Sequence, residues 1–391
     1  MRKAIVLFYL MLAVIGLTAS ATAQTSPADP AIIWQDVEQG GEKLFMRYPF
    51  AGMSNGALII AGGKGVDLFH QDAFSSATRV YTQSAADQHW ELALMGSLPQ
   101  PAARGAVAGD GKSLYFAGGL NADGELDALL EVEWNAVQKQ LELRILPSMP
   151  SARMGMGAAM LDGALYLAGG ESNNPESAGA TPLWKYDTAK GKWSELASWS
   201  GKPRISPVLL ASDGALYLAG GIVPQPEQQN QPFARSAKAW CYFPRRNKWT
   251  ALPDLPAPIG ETFGFTDPGG RLYYYDFYKN PERNYFTLEP GAREWRPQHD
   301  AWRVAMERPP AYPLALLCAN DGVIAPCKTS HGDLKIARIR PWEERASDSP
   351  SGASGGAFPL NIAILLVATI VLIVLLFFFG RPARNHRRRG A

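Results

Sequence analysis

Leu161-Asp-Gly-Ala-Leu-Tyr-Leu-Ala-Gly-Gly170 decides the fold of this chain, because it recurs. Fifty-one residues later the chain reads Ser212-Asp-Gly-Ala-Leu-Tyr-Leu-Ala-Gly-Gly221. Related turns stand at Asn55-Gly56, Asp110-Gly111, Gly269-Gly270 and Asp321-Gly322, making six in all. Asn-Gly and Asp-Gly accept the positive φ values of a two-residue hairpin, so each turn predicts two antiparallel strands. The second residues of the turns fall 55, 52, 51, 56 and 52 positions apart. A beat near fifty residues with several strands in each unit predicts a β-propeller and argues against a helical solenoid.

Working outward, each unit carries further marks. The second strand ends in a glycine pair at Gly62-Gly63, Gly118-Gly119, Gly169-Gly170 and Gly220-Gly221. Glycine at a strand end marks a close approach of backbones. In the fifth and sixth repeats, Asp276-Phe277 and Lys328-Thr329 take the place of the pair by counting. Late in the repeats comes a tryptophan, at Trp90, Trp193, Trp249 and Trp295; the second repeat offers Trp134 or Leu141. The sixth repeat reaches Leu334–Ile339 and then lacks a fourth strand. Ala31–Val37, a strand standing alone before the first hairpin, is the natural supplier. A borrowed strand closes the ring and removes an open sheet edge. The expectation is an all-β, six-bladed propeller over residues 31–343, closed by an N-terminal strand.

The two ends of the 391-residue chain read differently from its body. Arg2 and Lys3, an apolar run from Ala4 to Leu17, and Ala21-Thr22-Ala23 have the form of a secretory leader over residues 1–23. The alternative is a retained anchor. Residues 344–359 form a tether, Ser/Gly-rich from Ser347 to Ala357. Leu360–Phe379 is a run of twenty residues with one Asn and no charge, long enough to span a bilayer as a helix. Arg381, Arg384, Arg387, Arg388 and Arg389 follow in the tail 380–391, which places that tail in the cytoplasm and the propeller on the opposite side. The Gly-rich tether, span and Arg-rich tail also loosely resemble bacterial surface-sorting signals, which implies a removable anchor.

Removing the seven basic residues of the two ends leaves 31 basic against 36 acidic residues, about −5 for the body. That balance gives no electrostatic footing for nucleic acid. Five histidines are scattered without ligand spacing, so neither a metal nor another cofactor is expected. Of the three cysteines, Cys318 and Cys327 flank the sixth turn; one disulfide between them and three buried thiols are both open.

The stretch Ser151-Ala-Arg-Met-Gly-Met-Gly-Ala-Ala-Met-Leu-Asp-Gly-Ala-Leu-Tyr-Leu-Ala-Gly-Gly170, with its later Trp193, resembles a Kelch repeat, and the resemblance covers roughly residues 31–343. A narrower resemblance, carried by Phe50-Ala-Gly-Met-Ser-Asn-Gly-Ala-Leu-Ile-Ile-Ala-Gly-Gly63, is to the six-bladed N-acetylneuraminate epimerases (sialic acid mutarotases) and their cyclically permuted relatives. It implies an isomerase of acidic sugars.

Candidate site residues come from hairpin geometry. The segment before the first strand and the loop after the second open on one face. Arginines recur in the first position, at Arg47, Arg104, Arg153, Arg204 and Arg308, while the fifth repeat has Glu261 in that region. Guanidinium grips carboxylate in a bidentate fork, so five arginines on one funnel would orient an acidic sugar; the alternative is that each covers a neighbouring blade and pairs with its acids. Glu171 is the carboxylate just past a second strand, and sugar-ring opening needs an acid and a base. The epimerases place a catalytic glutamate in the blade matching the sixth here. This chain instead reads Gly322-Val-Ile-Ala-Pro-Cys-Lys-Thr-Ser-His-Gly-Asp333, in which His331 is the nearest group that exchanges protons near neutral pH. Either the base has moved, or the propeller binds without turnover. The aromatic run Leu272–Tyr278 fits a packed strand or a sugar-stacking surface. Two functions are therefore expected. The first is a membrane-anchored, extracytoplasmic mutarotase acting on sialic or a related acidic sugar through Glu171, His331 and the arginines. The second is a non-catalytic module binding an acidic or neutral sugar, or a protein partner.

Overall fold

A computed structural model describes residues 32–38, 44, 46–65, 73–84, 89–173, 182–225, 227–228, 230–275, 285–289, 292, 294–297, 311–319, 322–329 and 331–339. All lie in one compact unit, Met1–Pro341. The second unit, Trp342–Ala391, falls outside the described residues, as do the expected leader, tether, span and tail. Among the described residues no helix is long and apolar enough to cross a membrane.

The described chain is built of strands, with a single 3-10 turn at Pro244–Arg246. Four separate four-stranded antiparallel meanders form four blades. The first blade contains Ala106–Gly109, Ser113–Ala117, Leu129–Asn135 and Gln140–Leu146. The next has Met154–Leu161, Ala164–Glu171, Leu183–Asp187 and Lys192–Leu196. The third has Val208–Ser212, Ala215–Ala219, Ala239–Phe243 and Lys248–Leu252, and the last has Phe263–Thr266, Leu272–Tyr275, Tyr285–Leu288 and Arg296–Pro297.

Of the remaining strands, six short ones form three two-stranded ribbons, Leu120–Asn121 with Gly124–Glu125, Met46–Arg47 with Lys64–Gly65, and Ile222–Pro224 with Phe233–Arg235, and nine make one sheet. Phe50–Ser54, Ala57–Ala61, Ala77–Gln83 and Trp90–Ser97 form a meander at one side. At the other side, Gly322–Thr329 pairs with Ala311–Pro313, Leu317–Ala319 and Leu334–Ile339. Ile32–Glu38 joins the two sides. It pairs antiparallel with Leu334–Ile339, from Ile32 opposite Ile339 to Asp36 opposite Lys335, and makes a two-residue parallel bridge from Val37 to Trp90 and Glu38 to Glu91. Ile32–Glu38 therefore does supply a neighbour to the last described strand.

Local sequence explains these elements. Asn55-Gly56, Asp162-Gly163 and Asp213-Gly214 have φ values of 47° and 79°, 49° and 70°, and 49° and 70°. Both central residues are left-handed, as a type I′ hairpin turn requires. The second strands are buried along their whole length, and apolar clusters fill the spaces between successive sheets. The glycine pairs tie together the blades that carry them. The N–H groups of Gly63, Gly119 and Gly170 donate to the carbonyls of Ala102, Arg153 and Arg204 in the next blade, each at 2.8 Å. A Cβ on Gly118 would overlap the Arg153 carbonyl oxygen, so the structural role assigned to the pairs follows from geometry.

The late tryptophans clasp neighbours at the outer edge. The indole N–H of Trp193 donates to the Pro147 carbonyl (2.9 Å), that of Trp249 to Ala197 (2.6 Å), and that of Trp295 to Pro253 (2.8 Å). Each accepting carbonyl lies just beyond the outer strand of the preceding blade. Trp90 donates instead to Gln35 on the joining strand, at 3.1 Å. Within the aromatic run, Tyr273 stacks on Phe265 with centroids 4.5 Å apart, and Tyr274 is fully buried against Trp295. These two rings are therefore core rather than a sugar platform; Tyr278 lies outside the described residues.

All three cysteines are free thiols. Cys318 stands opposite Val323, four residues along the strand from Cys327. That spacing is roughly 13 Å in extended chain, about twice the reach of a disulfide. Burial pushes the Cys327 thiol up to about 12 and that of Cys241 to about 11.

Candidate ligand-binding mouth

The blade-opening segments converge where successive blades touch backbone to backbone. The Arg104 N–H donates to the Tyr48 carbonyl (3.0 Å), the Gly155 N–H to the Arg104 carbonyl (2.8 Å), and the Ser206 N–H to the Gly155 carbonyl (2.6 Å). One residue from each of four consecutive repeats thus makes a stepwise ladder at the mouth of the propeller. All four sit at positive φ: 56° at Tyr48, 57° at Arg104, 61° at Gly155 and 52° at Ser206. Glycine adopts this conformation freely, whereas a tyrosine and an arginine there store backbone strain.

The strained side chains meet. The Arg104 guanidinium lies 4.9 Å from the centroid of the Tyr48 ring and pairs with Glu261 at 2.5 Å. The Tyr48 hydroxyl lies 3.4 Å from the other oxygen of Glu261. The ion pair joins residues 157 positions apart, from the second and fifth repeats. About a quarter of each charged side chain reaches solvent, so the cluster is accessible. Burial and the nearby Glu261 carboxylate raise the Tyr48 pKa above its ordinary value. Beside this cluster, Arg47 is exposed opposite Lys64, and Lys328 is held below the usual lysine range by burial and by Arg47.

The structure separates the arginines that the sequence grouped. Arg153 and Arg204 are 1% and 2% exposed. Arg153 donates to the Gly170 carbonyl (3.1 Å) and lies 5.5 Å from the Trp184 centroid. Arg204 donates to the carbonyls of Gly220 (2.5 Å) and Lys238 (3.0 Å), with its guanidinium 4.3 Å from the Trp240 centroid. Burial lowers the Arg204 pKa to about 10 and also depresses that of Arg153. Both arginines are absorbed by their own blades, so they do not line a common funnel.

The reason is register. The glycine-pair bonds make Ala102, Arg153 and Arg204 equivalent, whereas the ladder makes Tyr48, Arg104, Gly155 and Ser206 equivalent. Arg47 belongs to neither set: it pairs with Lys64 as Met154 pairs with Glu171. Arg308 lies outside the described residues. The signal was present in the sequence. Arg104 precedes its turn glycine by 7 residues, and Arg153 and Arg204 each precede theirs by 10. Tyr48 was missed because its neighbour Arg47 drew the comparison.

Glu171 ends its strand opposite Met154 and is half-buried. Among the described residues, no hydrogen bond or ion pair joins it to Arg104, Glu261 or His331. His331 is exposed in a tight turn, where its backbone N–H donates to the Thr329 hydroxyl at 3.2 Å. The two expected catalytic groups are therefore not brought into one constellation with the mouth cluster. Among the described residues no set of three His, Cys, Asp or Glu side chains is arranged to hold a metal ion.

No family model matches the chain. It is similar to beta-scruin of Limulus polyphemus, with 24% identity over 208 residues, which cover 52% of this chain and 22% of that protein. It is also similar to Kelch-like protein terF of Aspergillus terreus, with 32% identity over 115 residues (28% of this chain, 24% of that one). Human Kelch-like protein 33 is 33% identical over 115 residues, covering 29% and 20%. The matches span between a fifth and a quarter of each relative's length. These relatives and the propeller-like arrangement of sheets support a Kelch-type β-propeller; the narrower epimerase assignment does not follow from them.

Proposed function

We propose that this chain is a Kelch-type binding module that takes a carboxylate-bearing ligand at its mouth without turning it over. The observation that carries this reading is the convergence of Tyr48, Arg104 and Glu261 from three repeats on one accessible point. Cation, ring and hydroxyl together form a recognition set: the guanidinium fork suits a planar anion, and the ring holds the fork in plane. Arg47 and Lys328 add positive charge beside it.

In this proposal the nine-stranded sheet counts as two blades sharing the joining strand, which gives the six blades of the sequence repeat. The leader and the Leu360–Phe379 run display the module on the outer side of a membrane, with the basic tail inside. Full-length chain that stays in carbonate-washed membranes supports that placement; recovery in the soluble fraction overturns it.

The second reading is the acidic-sugar mutarotase, favoured by the Phe50–Gly63 resemblance. That segment forms a hairpin of the kind found in the other blades, so it does not separate the two. One sample decides. Full-length protein is mixed with freshly released α-N-acetylneuraminate, and separately with a short poly-glutamate peptide. Proton NMR follows anomer exchange and ligand saturation transfer. Saturation transfer to either probe, lost in Arg104→Ala, with exchange no faster than buffer, is the expected result. Accelerated exchange establishes the enzyme instead, and no transfer to either probe removes the mouth as a carboxylate site.

A further inference from the structure

We infer that Glu261 is a built-in competitor: its carboxylate pairs through one oxygen with the Arg104 guanidinium, in the place that an incoming carboxylate ligand takes. This rests on the mouth being the binding site. Three observations support it independently of any relative.

The first is reach. Glu261 comes from the fifth repeat and crosses to groups of the first and second, whereas the arginines buried in the blades pair with carbonyls of their own repeat. The second is backbone cost. Tyr48 and Arg104 hold left-handed backbone at ladder positions where the third repeat has glycine. Glycine alone takes this conformation without a Cβ penalty, so Tyr48 and Arg104, like Ser206 in the fourth repeat, are held in position against a local cost. The third is redundancy of contact. The repeats are already tied by the backbone ladder and by the glycine-pair bonds, so the ion pair is not needed to join them. With a quarter of each partner in solvent, the pair contributes little to stability and is exchangeable.

The consequence is a self-occupied site. A carboxylate of higher local charge density, or one delivered with further contacts on the surrounding loops, displaces Glu261 and inherits both Arg104 and the Tyr48 hydroxyl. Ligands offering a single weak carboxylate do not. Glu261 thus sets an affinity threshold, and it screens for ligand class by competing with like chemistry.

The test compares full-length wild type, Glu261→Gln, Tyr48→Phe and Arg104→Ala by calorimetric titration with N-acetylneuraminate and the poly-glutamate peptide. Glu261→Gln keeps the shape and a weaker hydrogen bond while removing the competing charge. Its affinity for the better probe should rise about fivefold, the value of a partly exposed ion pair of about 1 kcal/mol. Tyr48→Phe should raise affinity less, or lower it slightly, because ligand and Glu261 share its hydroxyl. Thermal melts within about 2 °C of wild type confirm that each variant is folded. Wild-type binding with equal or weaker binding by Glu261→Gln overturns the competitor while leaving the mouth intact. Absence of binding by wild type and Glu261→Gln alike overturns the mouth itself.

Discussion

Replacing Arg204 with methionine tests whether this arginine holds the fold or the ligand. The guanidinium is buried, bonds the carbonyls of Gly220 and Lys238, and stacks on Trp240. Methionine fills much of the volume but orphans the buried Gly220 carbonyl, at about 1–3 kcal/mol, and leaves the Lys238 carbonyl with only the Gly220 N–H at 3.3 Å, at about 1 kcal/mol. The lost cation–ring contact adds roughly 1–2 kcal/mol. Against this, the depression of the Arg204 pKa to about 10 reflects a burial cost of roughly 3 kcal/mol that methionine does not bear. The balance is a destabilisation of about 1–2 kcal/mol. For a propeller of about 300 residues the unfolding entropy near the midpoint is roughly 0.6 kcal/mol/K, so Tm should fall by roughly 2 °C. Arg153→Met should fall less, because its hydrogen bond and ring contact are both longer. Neither change should alter binding of a carboxylate probe, while Arg104→Met should remove binding and move Tm by about 1 °C or less. Differential scanning calorimetry with a parallel titration reads both quantities. If Arg204→Met melts with wild type yet loses the probe, Arg204 belongs to the site and the burial argument fails.

Two further outcomes follow from the same geometry. Gly118→Ala drives a methyl into the Arg153 carbonyl at a φ of 60° and should cost several kcal/mol, whereas Gly163→Ala, at φ 70° with open space around it, should cost about 1 kcal/mol; equal melting shifts would refute the tight contact between blades. Unfolded, unreduced protein should titrate three thiols with a thiol-disulfide reagent, and native protein no more than one, because Cys241 and Cys327 are buried; a single thiol after unfolding would show that a disulfide forms.

Most of the fold was legible because its determinants are local. Asp162-Gly163 specifies a I′ turn by backbone preference alone, and Leu165–Ala168 is apolar on both faces because blades pack on either side. The borrowed strand was legible as a shortage, since a strand without a partner and a repeat missing one call for each other. The mouth was less legible. Which arginine faces inward depends on a two-residue register that the side chains do not announce, and the blades' own carbonyls absorb any guanidinium that falls in the buried register. Arg153 and Arg204 repeat at a clean interval because they are structural, while Arg104, out of step with them, keeps about a quarter of its side chain in solvent. Regularity here marked scaffold, and the irregular member marked the candidate site.

The joining strand also sets a clock. Ile32 pairs with Ile339, so the first strand of the propeller stays without its antiparallel partner until the last one has been made. At about 5–20 residues per second that wait is roughly 15–60 s. Throughout it the edge of Ile32–Glu38 that Leu334–Ile339 will cover lies open to pairing with other chains. Damage to Ile32–Glu38 would therefore tell first on the yield of folded protein, and only afterwards on the stability of what does fold.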